Sequence, residues 1–130
     1  MTLLVATVGA NLALEHIVNK TAPENLLLKL FISNTTPANG DTAATYTEAT
    51  FPGYAAITLA GASWGAASAR SIAYAQQTFT CSGTATDNVY GYYLVGATST
   101  ILYWAERDAS APFAVRVAGD AVKVTPTITA

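Results

Sequence analysis

The chain has 130 residues, a length that fits one domain able to bury roughly two-thirds of its unfolded surface. Six Lys and Arg against eight Asp and Glu leave a formal charge of -2, so no cationic surplus exists to neutralise phosphates or an anionic bilayer, which disfavours nucleic-acid and membrane-surface partners. Charged residues make up 11% and hydrophobic ones 52%, against about a quarter charged in an ordinary soluble domain, and the single Cys and single His rule out an intrachain disulfide framework or an all-protein zinc cage.

In chain order, the apolar start Met1–Ala10 has no positive charge before it and is interrupted by Asn11, Glu15 and His16, so it reads as an ordered element and not as a targeting or membrane-spanning segment. Residues 11–20 are expected to form a helix. Asn11 would be its N-cap, Ala10, Ala13, Leu14, Ile17 and Val18 would share one face, Lys20 would lie in the last turn, and Pro23 would stop it. Leu26–Ile32 is nearly continuous apolar and short, which suits a central strand either buried on both faces or covered by the helix. Residues 33–45 are rich in Asn, Thr, Pro, Gly and Ala, with an Asn39-Gly40 turn, and predict a surface loop.

An extended stretch with a Pro52-Gly53 turn then runs to Ala60, followed by small residues around Trp64. Ser71–Cys81 alternates like a strand, but Ile72 and Tyr74 have even parity and Phe79 and Cys81 odd, which predicts a bulge near Gln76-Gln77. Asn88–Val95 and Ile101–Glu106, joined through Gly96-Ala97-Thr98-Ser99, predict a hairpin. Phe113–Val117 and Val122–Ile128 around Gly119-Asp120 predict a second one. In it Phe113, Val115 and Val117 would share a face, with Val122 and Val124 on another inward face. The fold class expected is mainly β: an antiparallel β-sandwich or barrel-like domain with one short N-terminal helix, residues 1–130 forming a single domain.

Catalytic chemistry has little to build on. His16 has no Ser or Cys near it in sequence, and Cys81, alone on a strand, reads as a small buried hydrophobe. Asp41, Glu48, Glu106 and Asp108 are scattered carboxylates. A pair for glycoside hydrolysis is weakly supported, and Asp41 with Glu48 matches no EF-hand spacing. The cluster Glu106-Arg107-Asp108 is expected to form ion pairs, Glu106 with Arg107 or Arg116. No GxGxxG, P-loop, HExxH or GxSxG motif occurs, so the sequence predicts a protein that is not an enzyme, with no cofactor and no metal site. Tyr90, Tyr92, Tyr93, Tyr103 and Trp104 would place rings on both faces of one sheet, filling the core on one side and a subunit interface on the other.

Residues 46–54 (YTEATFPGY), 74–80 (YAQQTFT), 89–93 (VYGYY), 104–107 (WAER) and Gly119-Asp120 before Val124-Thr125-Pro126 together resemble a family of small structural proteins of tailed bacteriophages and prophages, over Leu26 to Thr127. The Ala-rich stretch Ala55–Ala69 departs from that pattern. The resemblance implies a virion structural protein made in the bacterial host cytoplasm, placed on the capsid surface as a decoration or cement protein. Its partners would be the major capsid protein and itself, as a homotrimer. It implies no catalytic residue. Under it, residues 1–8 are expected to be an arm that pairs with a partner, and the candidate interface comprises Leu3, Leu4, Val5, Tyr46, Glu48, Phe51, Tyr54, Trp64, Tyr92, Trp104, Glu106 and Arg107. The alternative is a tail, neck or receptor-binding component that stacks glycans on exposed Tyr and Trp.

Overall fold

Two segments that are apolar at nearly every position, β2 (Leu26–Phe31) and β7 (Gly91–Gly96), lie side by side and antiparallel in the computed structural model of the chain, which describes residues 2–130. Together with β1 (Thr2–Val5), β3 (Ile57–Leu59) and β8 (Leu102–Arg107) they form a five-stranded antiparallel sheet in the order β1-β8-β7-β2-β3. This sheet is covered on both faces, which is why β2 and β7 lack the polar alternation of a half-exposed strand. On one face Leu28, Leu30, Tyr92, Leu94 and Trp104 pack with Phe51, Leu59, Phe79, Val89, Val115, Val122 and Val124. On the other, Phe31, Tyr93, Val95, Leu102 and Ala105 pack with Ala6 and Tyr46.

The predicted hairpin is present as β7 and β8, with a register shift between Leu94 and Val95. Leu94 faces Trp104 and Val95 faces Leu102, so Tyr103 is the extra residue. That bulge turns Leu102 to the face opposite Trp104.

Short ribbons cover the sheet: β4 (Ser71–Ala73) with β11 (Thr127–Thr129), β5 (Gln77–Thr80) with β10 (Ala121–Val124), and β6 (Asn88–Val89) with β9 (Phe113–Ala114). Gln77 faces Val124 and Ala73 faces Thr127, so three residues, Tyr74–Gln76, oppose the two residues Thr125 and Pro126. This is the one-residue bulge that the change of parity required. The architecture is mainly antiparallel β with one short N-terminal helix, and the sheet is not a closed barrel, since β1 and β3 are edges.

Four expectations are corrected. The helix α1 spans Thr7–Ile17, not residues 11–20. It starts directly after β1 with Ala6 as an uncapped N-cap, because Gly9 must sit on β8: a Cβ there would lie 2.5 Å from Leu102 O and from Tyr103 Cα. It stops at Asn19, whose φ of 59° is left-handed, the helix-ending role that Asn shares with Gly; Lys20 lies beyond. The terminal segment is not a free arm, since Thr2–Val5 pairs with Arg107–Trp104 of the same chain and Thr7 and Val8 belong to α1.

β2 is an interior strand, but the middle of the sheet is β7. The second hairpin does not form. Asp120 Oδ2 accepts the backbone N–H groups of Arg116 and Val117 at 2.9 and 3.1 Å and shapes the connection as a loop. β9 then pairs with β6 and β10 with β5. Val115, Val122 and Val124 are buried, while Phe113 and Val117 are exposed. The loop 33–45 is as expected, with a 3-10 turn at Ala43–Thr45 and an Ala38–Asp41 turn closed by Asp41 N–H on Ala38 O at 3.0 Å.

Candidate functional site

The ends of β7 and β8 and the overlying β10 enclose an open pocket of about 230 Å³. Leu30, Val89, Val122, Val124 and Phe113 make its walls, and Glu106, Asp108 and Lys123 supply charge. Glu106 is 8% exposed. Tyr92, its partner across the β7–β8 ladder, donates its hydroxyl to Glu106 Oε2 at 2.9 Å, and the same hydroxyl accepts Thr127 N–H at 3.3 Å. Among the described residues Oε1 has no hydrogen-bond partner, yet it is not sealed off as a buried orphan.

Burial pushes the Glu106 carboxyl above its ordinary value, partly opposed by the Tyr92 hydroxyl and reinforced by the charge of Asp108. Burial, with the adjacent Glu106 charge, also raises the Tyr92 hydroxyl. Trp104 stands two residues from Glu106 on the same face of β8; among the described residues its Nε1–H meets no acceptor at full hydrogen-bonding geometry, yet it acts on Glu106 and Tyr92 to lower the pKa of both. The pocket therefore combines apolar walls with a buried carboxyl that the Tyr92 hydroxyl holds at one oxygen.

A second polar cluster lies between β2 and the 46–54 segment. Lys29 Nζ donates to Glu48 Oε1 at 3.3 Å, Tyr54 donates to Glu48 Oε2 at 2.7 Å, and the Tyr54 oxygen accepts Leu30 N–H at 3.3 Å. Burial and the bond to Glu48 push Tyr54 well above its usual range. A third cluster ties α1 to β8. The ring of His16 has Nδ1 at 2.8 Å from Thr21 O and Nε2 at 2.8 Å from the Tyr103 hydroxyl; because a carbonyl only accepts, Nδ1 carries a proton. Glu24 accepts the N–H groups of Thr98 and Ser99 at 2.8 and 2.9 Å.

Of the candidate interface residues, Tyr46, Phe51, Tyr92, Trp104 and Glu106 are buried in the interior of their own chain. They are corrected from surface contacts to core, because rings on both sides of the sheet meet the covering layers there. Glu48 and Tyr54 are half-buried in the second cluster, and Val5 packs at the edge of the core. Trp64 is half-buried edge-on against Tyr74 at 5.3 Å. Leu3 and Leu4 pair through the backbone with Glu106 and Ala105, and their side chains lie outside the described residues.

The expected ion pair of Glu106 with Arg107 or Arg116 is absent among the described residues. Neighbours on a strand point to opposite faces, so Arg107 lies over the Tyr90 ring at 5.0 Å, while Arg116 donates to Asp87 O and Asn88 Oδ1, each at 2.7 Å. Cys81 is buried with Sγ 3.1 Å from Gly83 O.

Sequence reasoning missed two surfaces. Helical spacing put Leu14, Ile17 and Val18 on one face without saying which way it points, and they are 62, 78 and 72% exposed. The early start of α1 rotates Gly9 and Ala6 inward in their place. The pocket was missed because Phe113, Lys123 and Glu106 come from separate segments. No known protein family and no curated protein matches the chain.

Proposed function

We propose that this chain is a non-enzymatic virion structural protein of a tailed phage, a decoration or cement protein that binds the assembled capsid lattice and stabilises it. The observation that carries the reading is the outer face of α1: Leu14, Ile17 and Val18 are each more than half exposed on a chain with only 11% charged residues. Contiguous apolar surface of this kind is buried by assembly in a chain that has to stay in solution. The sequence resemblance to phage structural proteins supplies the identity of the lattice.

The glycan-binding alternative requires an exposed platform of rings; Tyr92, Tyr93 and Trp104 are at most 6% exposed, and Trp64, Tyr74, Tyr90 and Tyr103 are half-buried. A nucleophile–base pair is also disfavoured, since His16 is engaged by Thr21 and Tyr103 and Cys81 is buried against Gly83.

The test is to mix the purified protein with expanded capsids from which it has been left out, then measure co-sedimentation and the capsid melting temperature. Wild-type protein is expected to bind and raise the melting temperature, and Leu14→Ser with Ile17→Ser to reduce binding at least about tenfold, the loss of two buried apolar side chains. Failure of the wild type to co-sediment, or full binding by the double variant, overturns the proposal.

A further inference from the structure

Six asparagines are spread along the chain, and the residue that follows each decides what its side-chain amide can do. Deamidation needs the next backbone nitrogen to reach the asparagine Cγ, so a bulky or hydrogen-bonded neighbour suppresses it. Leu12, Leu26 and Val89, which follow Asn11, Asn25 and Asn88, carry branched side chains inside α1, β2 and β6. Lys20, after Asn19, donates its N–H to Glu15 O at 2.9 Å, and Thr35, after Asn34, donates its own to Ser33 O at 2.9 Å. Asn39 differs on every count. Its neighbour is Gly40, both are exposed, and nothing lies within 4 Å of where a Cβ on Gly40 would be. Among the described residues neither the Gly40 N–H nor the Asn39 side-chain amide makes a hydrogen bond.

We propose that Asn39-Gly40 is a site of spontaneous covalent modification, at which the chain converts its own asparagine to aspartate and isoaspartate. The Gly40 nitrogen gives its proton to solvent base and bonds to Asn39 Cγ; the Cγ–Nδ2 bond breaks and ammonia leaves, closing a cyclic imide. Water then opens the ring. Attack at Cγ breaks the new bond and yields aspartate on an ordinary backbone, while attack at the Asn39 backbone carbonyl carbon breaks the original peptide bond and yields isoaspartate. Either product replaces a neutral amide by a carboxylate, with no change of oxidation state and with water as the only co-reactant.

The turn that holds the pair is lightly tied. Asp41 N–H on Ala38 O at 3.0 Å and Ala38 N–H on Asp41 Oδ2 at 2.8 Å close it. Gly40, without a side chain, opposes backbone rotation least of any residue, so an exposed loop tip of this kind opens to the reactive geometry at small cost. Its placement couples the chemistry to the helix. Asn39 O accepts the N–H of Thr7 at 3.0 Å, and Thr7 is the first residue of α1, whose N-cap Ala6 supplies no side-chain acceptor. In the isoaspartyl product that carbonyl has left the main chain, which runs through Cβ and Cγ instead and is one atom longer. The anchor that satisfies the start of α1 is then lost from its fixed position. This inference stands on the loop and the helix start and does not depend on the capsid reading.

The experiment is incubation of the full chain in warm, mildly alkaline buffer, with peptide mass spectrometry at intervals, for wild type and Gly40→Ala. In the wild type the peptide bearing Asn39 is expected to gain the mass difference between amide and acid before any peptide bearing another asparagine, and to contain an isoaspartyl fraction. Gly40→Ala, at an open position where the fold tolerates a methyl group, is expected to be modified several-fold more slowly, because the Cβ restricts the backbone rotation that brings the nitrogen to Cγ. The purified isoaspartyl form is then compared with Asn39→Asp, which carries the same charge on an ordinary backbone. Its unfolding equilibrium in urea is expected to lie about fivefold further toward the unfolded state, the worth of one backbone hydrogen bond. No gain at Asn39, a faster gain at another asparagine, or a Gly40→Ala protein modified as fast as wild type overturns the site; an isoaspartyl form as stable as Asn39→Asp overturns its coupling to α1.

Discussion

Replacing Gly9 by Ala sets two effects of opposite sign against each other. Within an isolated helix the change favours folding by about 1 kcal/mol, since Ala is the better helix former. In this protein the new Cβ would sit 2.5 Å from Leu102 O and Tyr103 Cα, both backbone atoms of β8, where ordinary contact begins at 3.4 Å. Neither atom can swing aside, so α1 must withdraw by about 1 Å, a form of overpacking that costs roughly 1–3 kcal/mol. The withdrawal also strains the bond from Thr7 N–H to Asn39 O at 3.0 Å and the contact of His16 with Tyr103 at 2.8 Å, each worth about 1 kcal/mol. The clash wins, and the net expectation is a loss of about 2 kcal/mol. Urea denaturation followed by circular dichroism should show a lower midpoint with an unchanged slope. Gly40→Ala is the matched control: nothing lies within 4 Å of its Cβ and its φ is not left-handed, so it should be neutral or stabilising by up to about 1 kcal/mol. A Gly9→Ala protein as stable as wild type would show that α1 does not rest on the β8 backbone.

Further expectations concern pH and the exposed helix face. The folded Glu106 carboxyl lies above 4.5, so its stabilising, protonated form is fully present below that pH and is lost as pH rises through the folded value. The stability of Glu106→Gln relative to wild type should therefore grow from pH 4 to pH 8, and a pH-independent difference in urea midpoints would refute this. At Glu24 burial pushes the carboxyl up, but the Ser99 and Thr98 N–H groups, with the Ser99 and Tyr103 hydroxyls, outweigh it and hold it below 4.5. That contribution is present above pH 4.5 and fades as pH falls through the folded value. Glu24→Gln should cost about 1 kcal/mol at pH 7, with the gap to wild type closing in acid; calorimetry across the pH range checks it. Ile17→Ser, at a side chain 78% exposed, should change the stability of the isolated chain by less than about 0.5 kcal/mol, and a larger loss in thermal melting would mean that this face is covered in solution.

Hydrophobic pattern is local, and what depends on it alone was legible in the residues. The continuous apolar run of β2 announced a buried strand, the segments of β7 and β8 announced a hairpin, and the parity change between Tyr74 and Phe79 announced a bulge. The turns at Asn39-Gly40 and Pro52-Gly53 followed from residues that favour them, with Gly53 at φ 86°. Composition likewise set the low charge, the lone buried Cys81 and the lack of a ligand set for zinc.

Pairing and burial are not local, and there the sequence was silent or misleading. The alternation of Phe113–Val117 and Val122–Ile128 says that each is extended, but not that β9 pairs with β6 and β10 with β5; that choice belongs to the core, where Val122 and Val124 must cover the sheet. Helical spacing identified a helix near residues 11–20 and grouped its apolar residues on one face, but could not say that Leu14, Ile17 and Val18 face outward, because the backbone approach permitted only at Gly9 decides which side meets β8. Glu106 showed in sequence as a charged strand end, and only the convergence of β7, β8 and β10 makes it a buried carboxyl bonded to Tyr92 in an apolar pocket. The sequence by itself determined which segments are extended, where they turn and how little charge they carry, since these depend on neighbours along the chain. The tertiary structure alone decided which strands pair, which helix face is exposed and where the carboxylates converge, since these depend on contacts between residues far apart in sequence.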